Sequence, residues 1–392
     1  MSHPIHVRRT LHALAGVALL FSQLACGGRV ATSTCTPGAR SSCACASGAA
    51  GTQVCNDTGS GCEPCSCPDA GSGAPPPSCA GGGPGLDNCS PSGNESCCES
   101  LLVTGVATPS FYRSYDGVSG TSCLDADCDS KAYPAEVGDF RLDKFEITVG
   151  RFHKYVAAVM AGWRPGAGAG KHVHLNCGLG LSDGRGGYET GWDASWNTPT
   201  NFPIDSATWD SKLTPRGLDG VTWSAGNDNL PIDYITWYDA AAFCIWDGGF
   251  LPSETEWNYA ASGGTDQRVY PWGSTPPGAD AKLAVYGCYY HGTGPSSCAG
   301  ANNIAPVGSI PAGNGKYGQS DLAGNVWEWN LDWGKPYFPT SCTNCVNLVP
   351  SEVRSSRGGA FFNDPTALLA GSRAFGFPDD RAVNGARCAR PP

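Results

Sequence analysis

The chain has 392 residues, of which 54 are glycine, 30 are proline and only 15% are charged, a composition that argues against a helical bundle and for a loop-rich globular fold. A formal net charge of −10 argues against nucleic acid and anionic membrane surfaces as electrostatic partners, since the average field repels both. Twelve tryptophans within a 41% hydrophobic composition predict a sizeable aromatic core.

In chain order, residues 1–25 resemble an export signal: His6, Arg8 and Arg9 are basic, Leu11 to Phe21 form an apolar run too short to span a bilayer, and Ala25-Cys26-Gly27 is a small-residue processing site. SQLACGG resembles a bacterial lipobox, with Gln23 where an aliphatic residue is usual; Cys26 would then carry the lipid anchor. Cleavage near Ala25 with release of a free product is the alternative. The 21 cysteines favour the anchor, because removing Cys26 leaves 20, an even number that can all pair in an oxidising compartment. Cys62/Cys65 and Cys342/Cys345 have metal-site spacing, but no histidine cluster accompanies them and the compartment favours disulfides.

Residues 26–67 are cysteine-rich with almost no large apolar side chain, and read as a disulfide-stapled module. Residues 68–96 read as a Pro/Gly/Ser linker, and 97–392 as the main domain. Within it, ESLLVTG is the first strand. In VGRFHKYVAAVM the apolar Phe152, Tyr155, Val156 and Val159 predict an amphipathic helix. A second helix follows Thr236, with Trp237, Ala241 and Cys244 on one face and Gly248-Gly249 as its stop. Ser253 and Glu256 form a capping box for a third. The remainder reads as loops and short strands.

The segments DKFEITVGRF, LPIDYITWYDAAAFCIWDGGFLPSETEWNYAASGG, YPWG, PVGSIPAGNGKYGQSDLAGNVWEWNLDW, RGGAFF and GARCAR, in that order over roughly Asp139 to Arg390, resemble the formylglycine-generating enzyme (sulfatase-modifying factor) family. The resemblance implies an α+β, loop-rich fold related to C-type lectins, with little regular secondary structure. The family's enzymes oxidise a substrate cysteine through two cysteines that bind copper(I). Aligned without gaps, those positions are Asn363 and Leu368, so copper is not expected. The stretch RGGAFFNDPTALLAGSR is similar instead to non-copper members, which share Asn363, Asp364, Pro365 and Arg373. Two readings stand: Asn363, Asp364 and Arg373 line a recessed ligand site, or they only shape the loop, Asn-Asp-Pro being a turn signal.

The resemblance also implies calcium in DLAGNVWEW, held by Asp321, the carbonyls of Gly324 and Val326, and Glu328, hard oxygens that suit this ion. The alternative is that Asp321 caps a turn and Glu328 pairs with an arginine. Val285 stands where the family's other calcium site begins with asparagine. His172 and His174 invite comparison with related sulfoxide synthases that bind iron through histidines, but those ligands come largely from an extra helical domain; the pair in GKHVHLN reads as solvent-exposed. The leading expectation is a lipid-anchored, exported protein binding a peptide or glycan in the ancestral active-site cleft, touching the membrane through its anchor and no nucleic acid. An enzyme modifying an exported protein by a different residue set or cofactor, and a structural surface protein, are the alternatives.

Overall fold

The helices begin where their capping side chains say they should. In the computed structural model, which describes residues 35–44, 50–59, 62, 75–118, 131–215, 220–292, 294–295, 298, 301–334 and 341–392, helix α1 spans Val149–Met160, and its N-cap Thr148 accepts from the Arg151 amide. Phe152, Tyr155, Val156 and Val159 are buried, as the periodicity predicts. Helix α2 (Ser206–Leu213) is capped by Asp205 and was not legible as a helix, because only Trp209 and Leu213 turn inward over its eight residues. Helices α3 (Trp237–Trp246) and α4 (Glu254–Ala261) open with complete capping boxes, Thr236 with Asp239 and Ser253 with Glu256.

Strands are short. β1 (Arg40–Ala44) and β2 (Ala50–Val54) form an antiparallel pair. β3 (Ser100–Val103), β4 (Val106–Tyr112), β5 (Pro134–Val137) and β6 (Phe140–Asp143) precede the helices. β7 (Trp327–Trp333), β8 (Cys342–Thr343), β9 (Arg354–Arg357), β10 (Ala374–Gly376), β11 (Asn384–Gly385) and β12 (Ala389–Arg390) follow them. They assemble into sheets of order β10-β9-β7-β11, β12-β6-β3 and β4-β5-β8. This is the loop-rich α+β fold expected from the composition.

The largest apolar cluster packs α1, α2 and α3 through Phe152, Tyr155, Trp209 and Phe243 against Trp329 of β7. Most of these rings meet edge-on or tilted, for example Phe152 and Trp209 at 6.1 Å and Tyr155 and Phe243 at 5.6 Å, while Phe152 and Phe243 stack at 5.9 Å.

Disulfides join Cys35–Cys55, Cys62–Cys177, Cys79–Cys98, Cys89–Cys97, Cys244–Cys388, Cys288–Cys298 and Cys342–Cys345. Such a framework belongs to an oxidising, extracytoplasmic compartment. Among the described residues, no helix is long and apolar enough to cross a membrane. The export signal, Cys26, Cys65 and residues 68–74 lie outside the described residues.

The stretch read as a linker behaves differently from Pro75 onward. Two disulfides and Leu86 pack it against Phe145 and Val307. Ser78 donates from its amide to Asp247 and accepts from Arg151 through its hydroxyl. Its Pro/Gly/Ser composition resembles a tether, but the cysteines and the single leucine give it a place in the fold. Cys62–Cys177 likewise ties the cysteine-rich module to the loop after His174.

Candidate functional site

The RGG segment leaves β9 through Gly358 and Gly359, both in the left-handed region. Asn363 folds back on its own turn: its side-chain oxygen accepts the Ala360 amide at 2.8 Å, and its carbonyl accepts the Gly287 amide at 3.0 Å. Asp364 is exposed and caps the 3-10 turn Pro365–Leu368, accepting the Thr366 amide at 2.8 Å; the Thr366 hydroxyl holds its carboxyl below the usual range. Leu368 is buried beside Tyr270, Tyr286 and Leu369. Arg373 turns inward, its Nε and Nη2 donating to the two oxygens of Glu254 at 2.5 and 2.7 Å. Asn363, Asp364 and Arg373 therefore do not line one recessed pocket. They shape and lock the loop, as Arg357 also does by donating to Glu254 and to the carbonyls of Ala370, Gly371 and Ser372.

In DLAGNVWEW, Asp321, Gly324 and Asn325 all have left-handed backbone, which curls the segment before β7 begins. Asp321 accepts the Gly308 amide at 2.6 Å, and burial pushes its carboxyl up to about 6. Glu328 Oε2 accepts from Trp257 Nε1 (2.7 Å) and Arg387 Nε (2.8 Å), while Oε1 accepts from Arg387 Nη2 (2.6 Å). Glu146 lies beside them, accepting from Asn325 Nδ2 at 2.7 Å; burial and then Asp321 and Glu328 push its pKa well up. Both features named as the alternative are present, the turn contact of Asp321 and the ion pair of Glu328. Three buried carboxyl groups surround one guanidinium, and burial favours the neutral form of Glu146 and Asp321; hard oxygens are the donor type calcium takes, but no three of these side chains come within ligand range of one another. The only trio of side chains within ligand range of one another among the described residues is Cys35, Cys62 and Cys177, each already in a disulfide.

A cavity of about 320 Å³ lies between α3, β7, β9 and the loops around Ala169 and Gly191. Its walls are Trp192, Trp196, Trp237 and Trp333, with Ile245 and Leu251 completing them, and the exposed Thr190 and Pro350 stand at its mouth. Two indole donors are already used: Trp192 Nε1 donates to Asn197 Oδ1 at 3.0 Å and Trp237 Nε1 to the Asn330 carbonyl at 2.9 Å. Arg354 completes the lining, its guanidinium 3.7 Å from the Trp237 ring and 3.5 Å from the Trp333 ring.

Glu189, also on the cavity wall, is fixed by His172. The imidazole Nδ1 lies 3.0 Å from Glu189 and Nε2 lies 3.1 Å from Glu256, so one ring bridges two buried carboxylates. Burial alone would push the His172 pKa down, but Glu189 and Glu256 outweigh it and raise it to about 10. His174 is held neutral, burial and then the charge of His172 pushing it down to about 3. The expected exposure of this histidine pair is thus corrected: both are buried, His172 bearing charge and His174 stacked on Phe250. The capping box at Ser253 pointed to Glu256, but nothing in the sequence disclosed its second bond. The cavity tryptophans are spread from 192 to 333, and only their number hinted at an aromatic site.

Residues 118–392 match the family model for the sulfatase-modifying factor enzyme 1-like domain. The chain is 32% identical to the formylglycine-generating enzyme of Mus musculus over 199 residues, covering 49% of this chain and 51% of that one. It is 38% identical over 188 residues to the inactive C-alpha-formylglycine-generating enzyme 2 of the same species, covering 48% and 56%. With the formylglycine-generating enzyme of Streptomyces coelicolor the identity is 29% over 280 residues, covering 67% and 82%. The chain spans about half the length of the first two relatives. Among solved structures, PvdO from Pseudomonas aeruginosa superposes with a TM-score of 0.46 at 20% identity, covering 76% of this chain and 95% of that one.

The His172 bridge predicts a pH dependence of stability. Its pKa rises from the ordinary 6.5 to about 10 on folding, so its contribution is complete below about pH 6.5 and is lost as pH climbs through about 10. Across that window the native state holds the extra proton, and the unfolding free energy should fall by about 1.4 kcal/mol per pH unit from this group. His172→Gln should be less stable at pH 7 and should lack that slope. Urea unfolding of both proteins from pH 6.5 to 10 checks this; parallel curves would mean that His172 is neutral in the fold.

Proposed function

The chain belongs to the sulfatase-modifying factor enzyme 1-like family, and from that premise we propose that it is an extracytoplasmic, lipid-anchored binding protein without copper chemistry, which takes a peptide or glycan in the tryptophan-walled cavity. The observation that carries this reading is the cavity itself. Its size falls at the lower end of the range for ligand pockets, its walls are aromatic, and it opens beside Thr190 and Pro350. The loop between Asn363 and Arg373, by contrast, is filled by its own contacts.

Copper(I) needs soft ligands, and the matching positions carry an amide turned back on its backbone and a buried leucine. Similarity to a relative described as inactive supports the same reading. Calcium, held by Asp321, Gly324, Val326 and Glu328, would act on stability by offsetting the buried negative charge. Cys26, diacylated, would supply the membrane attachment, each buried methylene contributing about 0.8 kcal/mol.

Four measurements test these statements. Purified protein supplied with copper(I), oxygen and a cysteine peptide should yield no formylglycine, while peptide or glycan arrays should yield ligands; copper-dependent turnover would overturn the reading, and an array without ligands would leave a structural role. Calcium at about a hundredfold above its dissociation constant should stabilise the protein by roughly 2.7 kcal/mol over chelator, and Glu328→Gln should reduce that gain. Equal wild-type melting temperatures after verified calcium removal would reassign Asp321 and Glu328 to the turn and ion pair alone. Intact mass of the membrane-fraction protein should show two acyl chains that Cys26→Ala lacks; a soluble wild type without acyl mass would remove the anchor.

A further inference from the structure

The cavity lining carries two ionisable side chains, and they differ in how they are balanced. Glu189 has a cationic partner in place, His172, whose single charge it shares with Glu256. Arg354 is held differently. Both faces of its guanidinium are covered by Trp237 and Trp333, and its Nη1 donates to the Leu331 carbonyl at 2.8 Å. Its Nε is buried without a hydrogen-bond partner, and among the described residues no carboxylate pairs with it. Asp332 acts on it only through space, its own oxygens accepting the amides of Glu254 and Asn347. Burial pushes the guanidinium down to about 9, which still leaves it cationic at neutral pH. An unpaired buried cation is costly, and with both faces covered, Nε closed off and Nη1 bonded, the Nη2 end remains to receive an anion such as a carboxylate.

The walls define the rest of the ligand. Two of the four indole donors, those of Trp192 and Trp237, are already bonded, and a flat ring would meet the indoles in stacked or edge-on contact. We propose that this cavity binds an arylalkyl carboxylate, its carboxylate at the open end of Arg354 and its ring among Trp192, Trp196 and Trp333. Resting on the reading that this cavity is the ligand site, the inference narrows the peptide class to chains ending in a free aromatic residue. A free arylalkyl acid presents the same chemistry.

Isothermal titration of the full chain with phenylacetate, 2-phenylethylamine, glucuronate, the peptide Gly-Gly-Phe and its C-terminal amide separates the possibilities. Phenylacetate and Gly-Gly-Phe should bind, the amide at least about tenfold more weakly, and the amine and glucuronate not measurably. Tighter binding of Gly-Gly-Phe than of phenylacetate assigns a peptide terminus, and the reverse assigns a free acid. Arg354→Met, which keeps the stacked volume and removes the charge, should weaken phenylacetate roughly tenfold to a hundredfold. If that variant does not fold, the acid and amide comparison on the wild type decides alone. Equal binding of acid and amide, or binding of glucuronate instead, overturns the carboxylate inference while leaving the cavity as a ligand site. No binding across this panel, alongside array ligands that do bind, also overturns it and leaves the broader reading standing. No ligand in either experiment removes both.

Discussion

Arg387 against Glu328 is the contact on which the surrounding structure depends. Arg387 donates to both Glu328 oxygens and also to the carbonyls of Asp143, Lys144 and Ser320, so one fully buried side chain joins β7, the end of β6, the loop before Asp321 and the C-terminal segment. The fold has little regular secondary structure, and its loops must satisfy their buried carbonyls by other means. Long guanidinium side chains with several fixed donors meet that need where a strand ladder does not reach. Removing one partner of such a pair costs about 3–5 kcal/mol, because the other charge is left buried; here Glu328 would be left beside Glu146 and Asp321.

The same device recurs at the two other seams. Arg151 and Arg390 share Asp143 and Asp247, which links α1, the end of α3 and β12, while Ser78 ties the segment after Pro75 into that network. Arg357 and Arg373 share Glu254 at the start of α4 and fix the loop that follows the double glycine. Arg354 lies on the same β9 strand as Arg357 but faces the cavity with no carboxylate of its own. The contrast between the two separates an arginine held by a carboxylate from one held by two aromatic faces.

Local features of this architecture were legible in the sequence, and long-range pairings were not. Thr236, Ser253 and the spacing of Phe152, Tyr155, Val156 and Val159 each act within one turn of a helix, and the structure places them as read. The resemblance to non-copper relatives groups Arg373 with Asn363 and Asp364. Its partner Glu254 lies 119 residues away, a pairing that neither periodicity nor turn chemistry encodes. The histidines fail for the same reason: a glycine-rich context suggests exposure, and it takes Glu189 together with the distant Glu256 to bury a charged imidazole. Composition also misled at Pro75 onward, where cysteine spacing outweighs the linker-like residues around it.

Outside the cytoplasm a protein with many loops meets proteases, and the disulfides change what a cut would do. The bond from Cys62 to Cys177 spans 115 residues and that from Cys244 to Cys388 spans 144. A single backbone cleavage within either interval leaves the two pieces covalently joined. The second interval contains all of β7 and β9, and therefore Trp333 and Arg354, so a nicked molecule keeps one wall of the cavity attached to α3, which forms part of the opposite side. Such a chain would persist as an assembled unit after damage that would separate an unlinked one.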